Sequence, residues 1–112
     1  IRETKKLDKG SIPGAMTPTE AAFAYECGAD IVKLFPAGLL GAAYIKAVKA
    51  PLKHIPVTAV GNVNVENCAE FLKAGAVGVG VGGSLVSAKL VDEGRFDEIT
   101  ATAKAYVEAL AR

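Results

Sequence analysis

The sequence predicts an α/β fold built from four consecutive parallel β-α units. Three observations predict it. Apolar runs and helix-patterned stretches alternate four times along the 112 residues. The runs are continuous rather than strictly alternating in polarity, as strands of a parallel sheet covered by helices read. Helix starts and stops (Thr17, Pro18, Glu20, Gly28, Asn64, Gly75) fall between the runs and separate them. Four such units make either a small open doubly wound sheet or half of a (βα)8 barrel, since a whole barrel takes roughly 200 residues or more.

The chain opens on "IRETKKLDKG", which reads as a helix already under way. "SIPGA" (11–15) is a short strand ending in a turn. "TPTEAAFAYECG" (17–28) is a helix: Thr17 is the N-cap, Pro18 fits the first helical position, Glu20 completes a capping box and Gly28 stops it. The strand "DIVKLF" (30–35) follows. "PAGLLG" is a loop, and "AAYIKAVKA" (42–50) is a helix ended by Pro51. "IPVTAVG" (55–61) is the third strand. Asn64 caps a helix over 65–74, and Gly75 stops it. "AVGVGVG" (76–82) is the fourth strand. Gly83 and Ser84 open a short helix near "SLVSAKLV", which Gly94 breaks. Residues 96–110 form a final amphipathic helix with Phe96, Ile99, Ala103, Val107 and Leu110 near one face.

Composition narrows the function. Hydrophobic residues are 51% and charged residues 22%, the balance of a soluble globular chain. Thirteen basic and twelve acidic residues are mixed along it, for a net charge of +1. That disfavours a nucleic-acid patch or a membrane-surface helix as partner site. No apolar run reaches the roughly 18 residues of a membrane span. Cys27 and Cys68 lie on predicted helices and read as buried, reduced thiols of a cytoplasmic protein rather than a disulfide. His54 stands alone and reads as a surface residue, so no metal site is expected. The charged opening is no signal peptide. With no initial methionine, residues 1–112 read as a single partial domain of a longer protein. A bare half-barrel exposes two strand edges and an apolar inner face. Either another segment completes it or the chain self-associates, and size exclusion is expected not to show a well-behaved monomer.

One residue breaks the apolar pattern. On the second strand Ile31, Lys33 and Phe35 point one way, and Val32 and Leu34 the other. Val32 and Leu34 suit the helix side, so Lys33 points toward the barrel interior. A lysine there can snorkel to the strand end or sit in a structural ion pair. It can also be a desolvated amine: burial lowers a lysine pKa and frees a nucleophile for Schiff-base chemistry. Its place near the C-terminal end of a parallel strand suits the second reading.

Two glycine loops add to it. Gly61 and Asn62 join the third strand to a capped helix, and "GVGGS" (80–84) does the same one unit later. Backbone N–H groups at such helix starts suit phosphate. Glycine can also merely permit a turn or close packing. Gly78, Gly80 and Gly83 spell G-x-G-x-x-G, but the first two fall inside a strand and no further strand follows, which excludes a dinucleotide fold.

"IPGAMTPTE", "VKLFPA", "AVGNVN" and "GVGGSL", in that order and spacing, resemble the 2-keto-3-deoxy-6-phosphogluconate (KDPG) aldolases, a group that includes enzymes acting on 4-hydroxy-2-oxoglutarate. The resemblance covers essentially the whole chain. It implies the C-terminal half of a (βα)8 TIM barrel, a trimer when complete, and a class I aldolase needing no metal or other cofactor. The reaction implied is reversible cleavage of the keto-acid phosphosugar to pyruvate and an aldehyde. Lys33 matches the Schiff-base lysine and Phe35 the aromatic beside it. Gly61 matches the first glycine of one phosphate loop; Gly82, Gly83 and Ser84 match the second, with the Ser84 backbone or hydroxyl as donor. Asn62 replaces the usual second glycine and Val60 a threonine common in the family. The family's acid/base glutamate and carboxylate-binding arginine come from strands before this chain starts. Glu20 and Glu66 sit at helix starts, where capping accounts for them. Two other readings remain: a phosphate-binding barrel enzyme without imine chemistry, and a non-catalytic half-barrel module.

Overall fold

A computed structural model describes residues 1–111. Four strands, β1 (Gly14–Ala15), β2 (Val32–Leu34), β3 (Val57–Val60) and β4 (Gly78–Gly80), pair in parallel in chain order. Six helices accompany them: α1 (Arg2–Lys6), α2 (Pro18–Glu26), α3 (Ala37–Lys49), α4 (Cys68–Lys73), α5 (Ala88–Asp92) and α6 (Phe96–Leu110). The predicted α/β order of four parallel units is the observed one.

The strands are shorter than the apolar runs. At β1 the reason is Pro13: its carbonyl accepts the Lys33 N–H (2.8 Å), but it has no N–H to return, so the ladder starts at Gly14. Register places Gly14, Lys33, Thr58 and Gly78 in one row and Ala15, Leu34, Ala59 and Val79 in the next. Successive rows face opposite sides. The second row, with Val32 and Val57, is packed under the helices. Ala21 and Ala24 of α2, Ile45 and Val48 of α3 and Cys68 and Phe71 of α4 close that core. The other face is open: Met16 and Phe35 are about half exposed, at 47% and 49%.

Punctuation works largely as read. Thr17 Oγ accepts the Glu20 N–H while the Glu20 carboxylate accepts the Thr17 N–H, a complete capping box. Asn64 and Asn67 exchange side-chain bonds with each other's backbone N–H (2.8 and 2.9 Å), making a reciprocal turn before α4, which starts at Cys68. The expected loop at 36–41 is instead the first turn of α3, broken at Gly41, whose φ of 79° ends that turn before the main helical run. The helix expected to open at Gly83 opens at Ala88, capped by Ser87; residues 82–86 form a single turn on the Gly82 carbonyl.

Three side-chain readings change. Cys27 is exposed, because it is the C-cap of α2 and lies past the packed face; Cys68 is buried, and both thiols are free. α6 has the expected bounds but a different buried face: Phe96 is 59% and Val107 69% exposed, while Tyr106 is 5% exposed. Tyrosine can occupy the interior there because its hydroxyl finds partners. His54 is exposed, as read, and meets Tyr25 edge-on. Among the described residues no helix is long and apolar enough to cross a membrane.

Candidate active site

β2 carries Lys33 on the open face, flanked in register by Gly14 and Thr58. The Gly14 neighbour leaves room: a Cβ there would come 3.9 Å from Lys33 Cε. The ammonium lies over the Phe35 ring, 5.2 Å from its centroid, a cation–π contact. Lys33 is half-buried, less than the sequence reading required, because nothing in the four-strand sheet covers that face. Among the described residues it forms no ion pair.

Phe35 is also one wall of a cleft of about 450 Å³. Gly61 and Asn62 line it from one loop, and Gly82, Gly83 and Ser84 from the next. All the residues singled out for binding in the sequence therefore meet at one cavity. Lys33 is outside the lining, with its ammonium over the ring of Phe35, which is part of it. Val60 and Asn62, the two departures from the family pattern, both face the cavity.

Local conformation explains these residue types. Gly61 and Asn62 are consecutive left-handed residues, at φ 95° and 52°. Asparagine tolerates that region, and at Gly61 a Cβ would sit 2.9 Å from the Phe35 ring. The Gly38 N–H donates to the Gly61 carbonyl (2.7 Å), fastening the first turn of α3 to the loop after β3. A Cβ on Gly38 would stand 2.5 Å from the carbonyl oxygens of both Gly61 and Asn62. Asn67 Nδ2 holds the Asn62 carbonyl at 3.1 Å.

The second loop differs from its reading. The Ser84 hydroxyl donates to the Val63 carbonyl (2.8 Å), and the Tyr106 hydroxyl donates to Ser84 Oγ (2.8 Å). Its only proton is thus directed into the protein. The N–H groups of Gly83 and Ser84 take no backbone acceptor among the described residues and remain uncommitted donors. α4 has six residues and α5 five, and α5 starts beyond the loop, so neither loop is backed by a long helix dipole.

Among the described residues no carboxylate lines the cavity. Glu20 is occupied elsewhere: its carboxylate accepts from the Met16 N–H, the Thr17 N–H and the Thr17 hydroxyl, and these bonds hold its pKa below the ordinary value. Among the described residues no group of three or more His, Cys, Asp or Glu could hold a metal ion. Gly38, Val63 and Tyr106 escaped the sequence reading. Tyr106 had a signal, since Ile99, Ala103, Tyr106 and Leu110 share the helical spacing of one face.

The family model for KDPG and KHG aldolase matches residues 1–102. The chain belongs to this aldolase family. A 2-dehydro-3-deoxy-6-phosphogalactonate aldolase of Escherichia coli (strain K12) is 44% identical over 99 residues, covering 88% of this chain and 48% of that relative. A probable enzyme of the same name from Rhizobium meliloti (strain 1021) is 41% identical over 76 residues, 67% of this chain and 36% of its own length. The chain therefore spans half or less of the length of these curated relatives. A solved structure described as native KDPGal superposes with a TM-score of 0.85 at 40% identity, covering 99% of this chain and 54% of that one. The four units of this aldolase-family sheet thus match about half of a solved aldolase barrel.

Proposed function

We propose that this chain carries the imine-forming and phosphate-binding half of a class I aldolase acting on a 2-keto-3-deoxy-6-phospho sugar acid. The observation that carries the reading is Lys33, placed over the aromatic wall of a cleft bounded by two glycine loops. Neutral Lys33 Nζ adds to the C2 carbonyl of the substrate and loses water to give an iminium. The C4 hydroxyl then gives up its proton to a base, the C3–C4 bond breaks with its electrons moving toward the iminium, and C4 leaves as the aldehyde carbonyl. Protonation of the resulting enamine at C3 and hydrolysis release pyruvate and free the lysine. The N–H groups of Gly83 and Ser84, with the loop at Gly61 and Asn62, hold the distal phosphate.

The lining offers no acid or base for the proton transfers. Those fall to groups outside these 112 residues, and loss of a positioned acid/base costs about 10²–10⁴-fold. The 112-residue chain alone is therefore expected to be nearly inactive, and the whole protein to work as a cytoplasmic trimer. The two relatives described above are named for 6-phosphogalactonate, and two others, at 36% and 33% identity, for phosphogluconate, whose 6-phospho form is its C4 epimer. Comparison of kcat/KM for the two epimers decides between them.

The imine is tested by borohydride reduction of the whole folded protein with pyruvate. A stable adduct on Lys33, absent in Lys33→Ala, is expected. A folded protein that binds substrate but forms no adduct overturns the imine and leaves a phosphate-binding barrel enzyme of another reaction class.

A further inference from the structure

We propose that Tyr106 is a positioning residue for phosphate recognition, its hydroxyl setting the separation of the two cleft loops. The inference rests on the reading that the cleft takes the distal phosphate. Tyr106 lies on α6, outside the sheet, and is almost fully buried. Its ring belongs to the core, while its hydroxyl emerges between the loops. There it stands 2.8 Å from Ser84 Oγ and 3.2 Å from the Val63 carbonyl oxygen. Ser84 Oγ closes the triangle with its own 2.8 Å bond to Val63.

Val63 and Ser84 line the cavity from different loops. A direct Ser84–Val63 bond alone leaves that pair free to swing together. The third vertex ties Ser84, and through its bond the Val63 carbonyl, to a helix anchored by its buried face. The arrangement also fixes the rotation of Ser84: its proton points to Val63 and its lone pair receives Tyr106. A phosphate that needs donors from both loops is sensitive to their spacing; a ligand that touches only one is not. Tyr106 touches no ligand itself, since it is absent from the cavity lining.

The test is Tyr106→Phe, which keeps the ring and leaves Ser84 and Val63 paired with each other. Condensation of pyruvate with glyceraldehyde 3-phosphate is compared with condensation using unphosphorylated glyceraldehyde, in the whole protein. The KM for the phosphorylated aldehyde is expected to rise about five- to tenfold, with kcat within about twofold, the scale of one lost hydrogen bond. The KM for glyceraldehyde and pyruvate–borohydride labelling of Lys33 should not change. Ser84→Ala should weaken the same step, and the double variant should lose no more than the worse single one, because the two hydroxyls act as one device. Equal losses for both aldehydes, no loss at all, or additive losses in the double variant overturn the proposal. If wild-type protein shows no pyruvate labelling, inorganic phosphate titrated calorimetrically into wild type and Tyr106→Phe still decides: weaker binding in the variant upholds the positioning role after the aldolase reading has failed, and equal binding overturns it.

Discussion

The two faces of the sheet are made by the same four strands and have opposite character. Under the helices, Val32, Leu34, Val57 and Ala59 are sealed from solvent. One residue away in each strand, Lys33, Thr58 and Val60 are only partly covered. Two lysines repeat the contrast. Lys49, on α3, donates to the carbonyls of Leu52 (3.4 Å), Lys53 (3.0 Å) and Ile55 (2.6 Å), and burial pulls its pKa below the ordinary value. It clamps the connection into β3. Lys33 meets no carbonyl or carboxylate among the described residues, only an aromatic face. Partial burial alone does not make a lysine reactive; what its donors already hold decides its use.

Substitutions across that divide should separate chemistry from stability. Lys33→Ala has the largest expected effect. Imine trapping should vanish and turnover of the whole protein fall by several orders of magnitude, on the order of 10⁴ or more, as for removal of a covalent nucleophile. Its stability to urea should stay within about 0.5 kcal/mol, as for a substitution outside the core. A large stability loss would show that the open face also holds the fold together. Leu34→Ala, the adjacent residue, should do the reverse and cost about 2–5 kcal/mol in urea melts. Gly38→Ala should fall between, since the new methyl meets two backbone carbonyls: about 1–3 kcal/mol of stability, together with weaker phosphate binding by calorimetry. Loss of stability without loss of phosphate affinity would separate that contact from the site.

The smallest effect belongs to the capping box at the start of α2. Thr17→Ala should cost about 1 kcal/mol at neutral pH. Glu20, with its pKa lowered by the Met16 and Thr17 donors, stabilises the protein above its unfolded value of about 4.5 and ceases to as the pH falls through its lower folded value. The stability gap between wild type and Glu20→Gln should therefore close as the pH drops below 4.5. A gap constant down to pH 2 would assign the effect to packing.

Elements with local causes were legible in the sequence. Thr17-Pro18-x-Glu20 announced a helix start, and strand alternation placed Lys33 opposite Leu34. Asn64, read as the cap of a helix from 65, instead makes the turn before it, with Asn67 as the N-cap and Cys68 as the first helical residue. Features decided by which loop arrives nearby were not. Ser84 looked like a ligand donor until Val63 and Tyr106 came within reach of its hydroxyl. Gly38 resembled any loop glycine until the Gly61 and Asn62 carbonyls closed on it. Cys27 looked buried on a helical pattern that ended one residue too soon. The site was read as a set of loops; the bonds that hold those loops to one another belong to the tertiary structure.

The Gly38–Gly61 hydrogen bond also gives the molecule a built-in gauge. The Gly38 amide proton exchanges with solvent only when the first turn of α3 parts from the Gly61–Asn62 loop. Its exchange rate thus reads the opening of that seam in the resting protein, one proton at a time, with no substrate turned over. On the reading proposed above, an anion held by the Gly61–Asn62 loop should slow that exchange, so occupancy of the cleft can be followed from an amide outside its lining.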